Sequence, residues 1–176
     1  MNNYDPELPI LRQMLALSIM GKLDDCGFVE TGFDDKTREK VYSRVIPDTK
    51  IAVKVYTTVV GQEVRPSGKD AIRVCATYQT SDGDTRGIVK STRVHRTGNI
   101  EDIVNRMHFR MRETWKSAAT GAKCHCGAPK FKAKSGKNVC ADICWLTDEQ
   151  KQEQKNQWKF KQAAKRHRRG TGRRYC

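Results

Sequence analysis

No stretch of this chain is apolar for the roughly 18 to 20 residues that a membrane-crossing helix requires. The best run, Leu8 to Met20, is broken by Pro9, Arg12, Gln13 and Ser18. It also lacks the basic start and small-residue cleavage site of a secretory signal, so a soluble cytoplasmic protein is expected, or a nuclear one in a eukaryotic or viral setting. No internal repeat is visible. A phosphate-binding P-loop is missing too, because Gly68-Lys69 is followed by Asp70 where serine or threonine would hold magnesium. Nor is there a nuclease, ligase or hydrolase pattern. His95 between Arg93 and Arg96, Asp70 beside Lys69, and Asp82 with Asp84 are the suggestive polar groups of the first hundred residues. Asp82-Gly83-Asp84 reads better as hairpin-turn chemistry. His95 and His108 read as a strand-face residue and a helix-flank residue, and no catalytic residue is assigned.

Acidic residues are scarce where basic ones are dense. Residues 1–60 carry a net charge of −1, residues 61–120 of +4 and residues 121–176 of +11, within a total of +14. Such a gradient points to a polyanionic partner, since lysine and arginine that neutralise phosphates release condensed counterions. An anionic membrane would satisfy the same charge, but no apolar helical face or lipidation signal accompanies the basic run. Nucleic acid is the favoured partner.

Seven cysteines are present, four of them between Cys124 and Cys144, with Cys26, Cys75 and Cys176 standing apart. A secreted disulfide scaffold spreads an even set, so metal binding in a reducing compartment is the better reading. The 176 residues, 37% hydrophobic, suit one modest core plus an appendage.

The core is expected to be α+β: a helix, an antiparallel three- to four-stranded sheet and a second helix, followed by a small zinc ribbon and a basic tail. Leu8, Leu11, Leu15, Ile19 and Leu23 recur at spacings of three and four, broadened by Met14 and Leu17, and Gly27 is a natural stop. Strands are expected over Lys50–Val60, Ala71–Gln79 and Gly87–Arg96, with a fourth over Glu39–Ile46 and polar chain from Gly32 to Glu39. Short connections favour an antiparallel meander. Alternation sets Ile51, Val53 and Val55, and Ile72, Val74, Ala76 and Tyr78, on the core face. The open face would then gather Lys54, Tyr56, Arg73, Arg93 and His95 as a basic nucleic-acid surface. Asn99 is a good helix cap, after which Ile100, Ile103, Val104, Met107, Met111 and Trp115 share a face. The expected domains are residues 1–118, 119–146 and 147–176. The helix–sheet–helix order is loosely similar to the cores of single-strand annealing proteins and of double-stranded-RNA-binding domains, although this second helix opens Asn99-Ile100-Glu101-Asp102 where the latter carry lysines.

In the segment Cys124-His125-Cys126-Gly127-Ala128-Pro129, two cysteines lie close together; thirteen residues separate Cys126 from Cys140, and Cys144 follows four positions later. Two close pairs bridged by a loop containing Gly136 supply four thiolates for one tetrahedral ion. Zinc is the commoner structural choice over iron. Over about residues 122–146 the segment resembles the zinc ribbons of topoisomerase tails, transcription factors and many phage and replication proteins. That resemblance implies a structural Zn2+ held by Cys124, Cys126, Cys140 and Cys144, and nucleic-acid contact through the hairpin. The first pair encloses one residue where the usual pair encloses two, which leaves His125 as an alternative ligand. Lys130, Lys132, Lys134 and Lys137 interleave with Phe131 as in a platform that follows a phosphate backbone and stacks bases. Trp145 is expected to pack over the metal site.

Thr147 with Gln150 is a weak capping signature for a Gln- and Lys-rich segment, and Lys165 to Arg174 is expected to be disordered in isolation. Its Lys165, Arg166, Arg168, Arg169, Arg173 and Arg174 would add affinity for a polyanion without specificity. Three functions follow, the first preferred and the other two ranked equally. The first is a nucleic-acid-binding protein, DNA ahead of RNA, in replication, recombination or transcription. The second is an enzyme acting on nucleic acid through Asp70, Arg73, Arg93 and His95. The third is a protein-interaction scaffold within such an assembly.

Overall fold

The computed structural model describes residues 8–37, 39–58, 71–95 and 99–171, excepting the side chains of 8–13, 16, 58, 71, 95 and 166–171. The chain divides into two compact units, residues 1–141 and 142–176.

In the first unit, α1 (Leu8–Asp25) precedes five strands: β1 (Val29–Asp34), β2 (Glu39–Val45), β3 (Ile51–Thr58), β4 (Ala71–Gln79) and β5 (Thr85–His95). They form one sheet in the order β1-β2-β3-β4-β5, each pair antiparallel, which is the expected meander. The expected three or four strands become five, because the polar segment before Glu39 pairs with β2. β1 is mostly exposed, and its register slips between Glu30 and Gly32, where Gly32 takes φ +149° in a bulge. Pairing with β2 holds this strand, and a hydrophobic pattern does not mark it.

The core face follows the alternation. Ile51, Val53 and Val55 lie opposite Tyr78, Ala76 and Val74 in the β3–β4 register, and all six are buried. α2 (Ile100–Thr120) packs across β3, β4 and β5, burying Ile103, Val104, Met107, Met111, Thr114 and Ala118. Its cap is the expected one, since the Asp102 amide donates to Asn99 Oδ1 at 2.8 Å.

α1 packs beside α2, with Ile19 and Leu23 buried, while Met14 and Leu17, which the periodicity also assigned to the stripe, are exposed. The helix stops at Gly27 with φ +72°. There the Phe28 amide donates to the Leu23 carbonyl and the Gly27 amide to that of Asp24, both at 2.9 Å. These are the paired bonds of a glycine-terminated helix, and the side chains of Leu23 and Phe28, on either side of the turn, are both buried. Arg44 of β2 ties the corner together, donating to the Cys26 carbonyl at 2.7 Å and lying 4.4 Å from the Trp115 ring centre.

β6 (Lys130–Lys132) and β7 (Asn138–Cys140) form a separate antiparallel hairpin, with β6 close to β5.

The second unit carries α3 (Asp148–Thr171). The expected capping exchange is present, the Gln150 amide donating to Thr147 Oγ1 at 3.3 Å and the Thr147 amide to Gln150 Oε1 at 3.1 Å. Residues 147–176 were expected to be a helical or disordered basic tail; α3 continues past Lys165 to Thr171, and residues 172–176 lie outside the described residues. Gln, Lys and Ala lose little rotamer freedom in a helix, and a capped run of this length is past the threshold at which isolated helices become viable.

Candidate metal centre

The cysteine segment builds its site from two glycine turns and one strained corner. At the first turn the Gly127 amide donates to the Cys124 carbonyl at 2.9 Å and the Cys124 amide to the Ala128 carbonyl at 2.8 Å. Gly127 adopts φ +83°, a conformation glycine enters without steric cost, and this brings Cys124 and Cys126 onto one side of the loop. The hairpin turn is similar, with Gly136 at φ +81° donating to the Ala133 carbonyl at 3.0 Å. The β6–β7 register then sets Lys130 opposite Cys140. Beyond β7 the chain turns sharply through Ile143, a β-branched residue at φ +50°. Such a conformation costs a non-glycine residue on the order of 1 to 2 kcal/mol, and it directs Cys144 back toward Cys140.

The result is convergence. The Sγ atoms of Cys124, Cys126, Cys140 and Cys144 all lie within 4.8 Å of one another. None of the four is in a disulfide, and the Cys126 and Cys140 sulfurs stand 3.4 Å apart, far beyond the ~2.05 Å of a bonded pair. Zinc–sulfur bonds of ~2.3 Å in a tetrahedron place ligand sulfurs roughly 3.8 Å apart, which this spacing accommodates. These four residues could hold a metal ion. His125, the alternative ligand, is exposed, and its Nδ1 sits 3.4 Å from Cys124 Sγ, beside the cluster.

The apolar cover is small. Ala128, Ala141, Cys140 and Ile143 are buried, whereas Trp145, expected to roof the metal, is 53% exposed.

No family model, curated protein or solved structure matches this chain.

The basic residues expected to touch nucleic acid divide into three sets. On the hairpin, Lys130, Lys132, Lys134 and Lys137 are exposed and Phe131 is half-buried. On α3, Lys165 is exposed. The side chains of Arg166, Arg168 and Arg169, and all of Arg173 and Arg174, lie outside the described residues, as do Asp70 and the side chain of His95.

The open sheet face is where sequence and structure part. β-Pairing does align Tyr56 with Arg73 and Arg73 with Arg93, as alternation implies. But Arg73 Nη2 is 2.9 Å from Glu39 Oε2 and 3.8 Å from Asp34 Oδ2, and its guanidinium lies 3.8 Å from the Tyr56 ring centre. Two carboxylates and a ring therefore engage the arginine that was expected to greet phosphate. Burial pushes the Tyr56 phenol and the neighbouring Cys75 thiol up from their usual values, so both are neutral at physiological pH. Beside them, a shallow cavity of about 570 Å³ over β1–β3 has Asp34 and Asp35 at its rim along with Lys36 and Lys54. Sequence reasoning missed Asp34 and Glu39 as partners of Arg73, because the order of the strands, and no local pattern, brings these β1 and β2 carboxylates to it.

It also passed over α2. Arg106, Phe109 and Arg110, with Arg93 of β5, line a groove of about 870 Å³. Basic residues at i and i+4 flanking an aromatic at i+3 are the signal that could have marked it.

Proposed function

We propose that this protein binds nucleic acid, DNA in preference to RNA, within a replication, recombination or transcription assembly, and that its four clustered cysteines hold a structural zinc ion. The observation that carries the reading is the convergence of four cysteines outside any disulfide at the base of a hairpin bearing four exposed lysines. Cys124, Cys126, Cys140 and Cys144 would complete a closed tetrahedron, in which zinc supplies cross-linking and leaves no open position for water. The lysines of β6 and its turn, and the basic end of α3, supply phosphate contacts without base readout.

The test combines metal analysis of the purified protein with oligonucleotide titrations across salt concentrations. One zinc per chain is expected, lost in the Cys140→Ser/Cys144→Ser double variant together with much of the affinity. Truncation after Trp158 is expected to flatten the dependence of log affinity on log salt by several units, at ~0.7 to 0.9 for each phosphate that is no longer neutralised. Metal-free protein, or binding and salt slope that survive both changes, would overturn the proposal.

A further inference from the structure

Within the first unit, the basic surface that meets a concave, partly apolar wall is the groove between β5 and α2. We infer that this groove is a seat for single-stranded nucleic acid, with Phe109 stacking a base and Arg93, Arg106 and Arg110 holding the adjoining phosphates. The inference rests on the nucleic-acid reading above and places its specificity for strand type at a defined site.

Four observations carry it. First, the groove encloses about 870 Å³, within the ~300 to 1,000 Å³ that small ligands occupy and enough for an unstacked nucleotide. Second, among the described residues three guanidiniums line it against one carboxylate, Asp102, so its charge is complementary to a phosphate backbone. Third, Phe109 is 57% exposed on a helix whose opposite face, Met107 and Met111, is buried, so its ring is presented to solvent and is not part of the core. The Arg110 guanidinium, 5.6 Å from that ring centre, keeps a cation beside any base stacked there. Fourth, the groove's arginines are spaced by structure. Arg106 Nε donates to the Asp102 carbonyl at 3.2 Å, which anchors its guanidinium one turn before Arg110 on the same helical face. Arg73, the register partner of Arg93 on β4, is held by Glu39 and Asp34 and has no comparable role.

An aromatic platform selects single strands because stacked bases of a duplex present no face to it. The hairpin lysines of β6 lie near β5, so a strand leaving the groove can continue along them.

The experiment titrates the full chain with a fluorescein-labelled oligothymidine of about 20 nucleotides, long enough to span one binding site of this kind, and with a duplex of the same length. Phe109→Ala is expected to weaken the single strand about tenfold with an unchanged salt slope and to leave the duplex unaffected. Phe109→Trp is expected to restore affinity, which a merely structural role would not predict. The Arg106→Ala/Arg110→Ala double variant is expected to weaken binding and to lower the salt slope by about 1.4. None of the three side chains is buried, so thermal melts should match the parent.

Wild-type single-strand affinity in all these variants, with the salt slope still flattened by truncation after Trp158, overturns the groove and leaves the nucleic-acid reading standing. Equal losses for duplex and single strand, or displacement of the oligothymidine by polyglutamate at equal charge concentration, also overturn it, assigning the groove to a duplex backbone or an acidic protein. Absence of any oligonucleotide binding by the parent chain overturns both.

Discussion

In the sheet and its helices, Leu23, Met107, Val53, Val55 and Val74 are almost wholly withdrawn from water, whereas around the cysteines the buried side chains are Ala128, Pro129, Ala141, Cys140 and Ile143. Fully burying a large aliphatic side chain stabilises by ~1.5 to 3 kcal/mol, and an alanine contributes far less. The first region is therefore stable through the area it removes from water. The second has two short strands of three residues each and a strained corner at Ile143, so a metal ion held by its four cysteines would supply the order that buried area does not. One chain thus contains two folding problems with different solutions.

The largest expected effect separates them. Structural zinc sites contribute apparent binding free energies of ~10 to 16 kcal/mol, and this energy is also their folding energy. Chelation, or Cys140→Ser, is expected to abolish amide-exchange protection at Phe131 and Val139 while β3 and β4 keep theirs. Parallel loss in both regions would show that the hairpin and the sheet fold as one, and the comparison would break.

The reverse experiment is smaller. Met107→Ala leaves a void under β3–β5 and is expected to cost ~2 to 5 kcal/mol, read as a lower denaturant midpoint, with zinc content unchanged. Metal loss in this variant would again couple the regions.

The mildest effect is one of pH. The Tyr42 phenol is pushed up to about 12, first by burial, then by the charge of Glu30 and the hydrogen bond it donates to Glu30 Oε2 at 3.3 Å. Because the native state holds this proton more tightly than the unfolded chain, its contribution is complete below the ordinary value of 10.0 and is lost as pH rises toward about 12. Denaturant melts from about pH 9 to about pH 12 should therefore show a decline in core stability that Tyr42→Phe flattens.

What sequence could show follows the same divide. β4 runs over the expected Ala71–Gln79, and the parity of Ile72, Val74, Ala76 and Tyr78 assigns the buried face correctly, because two-residue periodicity is a local property. The cysteine cluster was legible for a related reason, since close ligand spacing already confines the geometry. β1 was not legible. Five of its six residues are exposed, and a neighbouring backbone makes it a strand. The role of Arg73 was hidden likewise. Its partner Glu39 lies 34 positions away, and only the order of β2, β3 and β4 brings a β2 carboxylate across to it. Met14 and Leu17 show the opposite error, where helical periodicity is present but both side chains stay exposed.

The bulge in β1 has a bearing on solubility. β1 is an edge of the sheet, and with Val29 66% exposed and Phe33 42% exposed it has the apolar content to attract a sixth strand from another copy. The register slip at Gly32 interrupts the ladder such a strand would need. The same irregularity that conceals β1 from a reader of the sequence thus guards its edge against self-assembly.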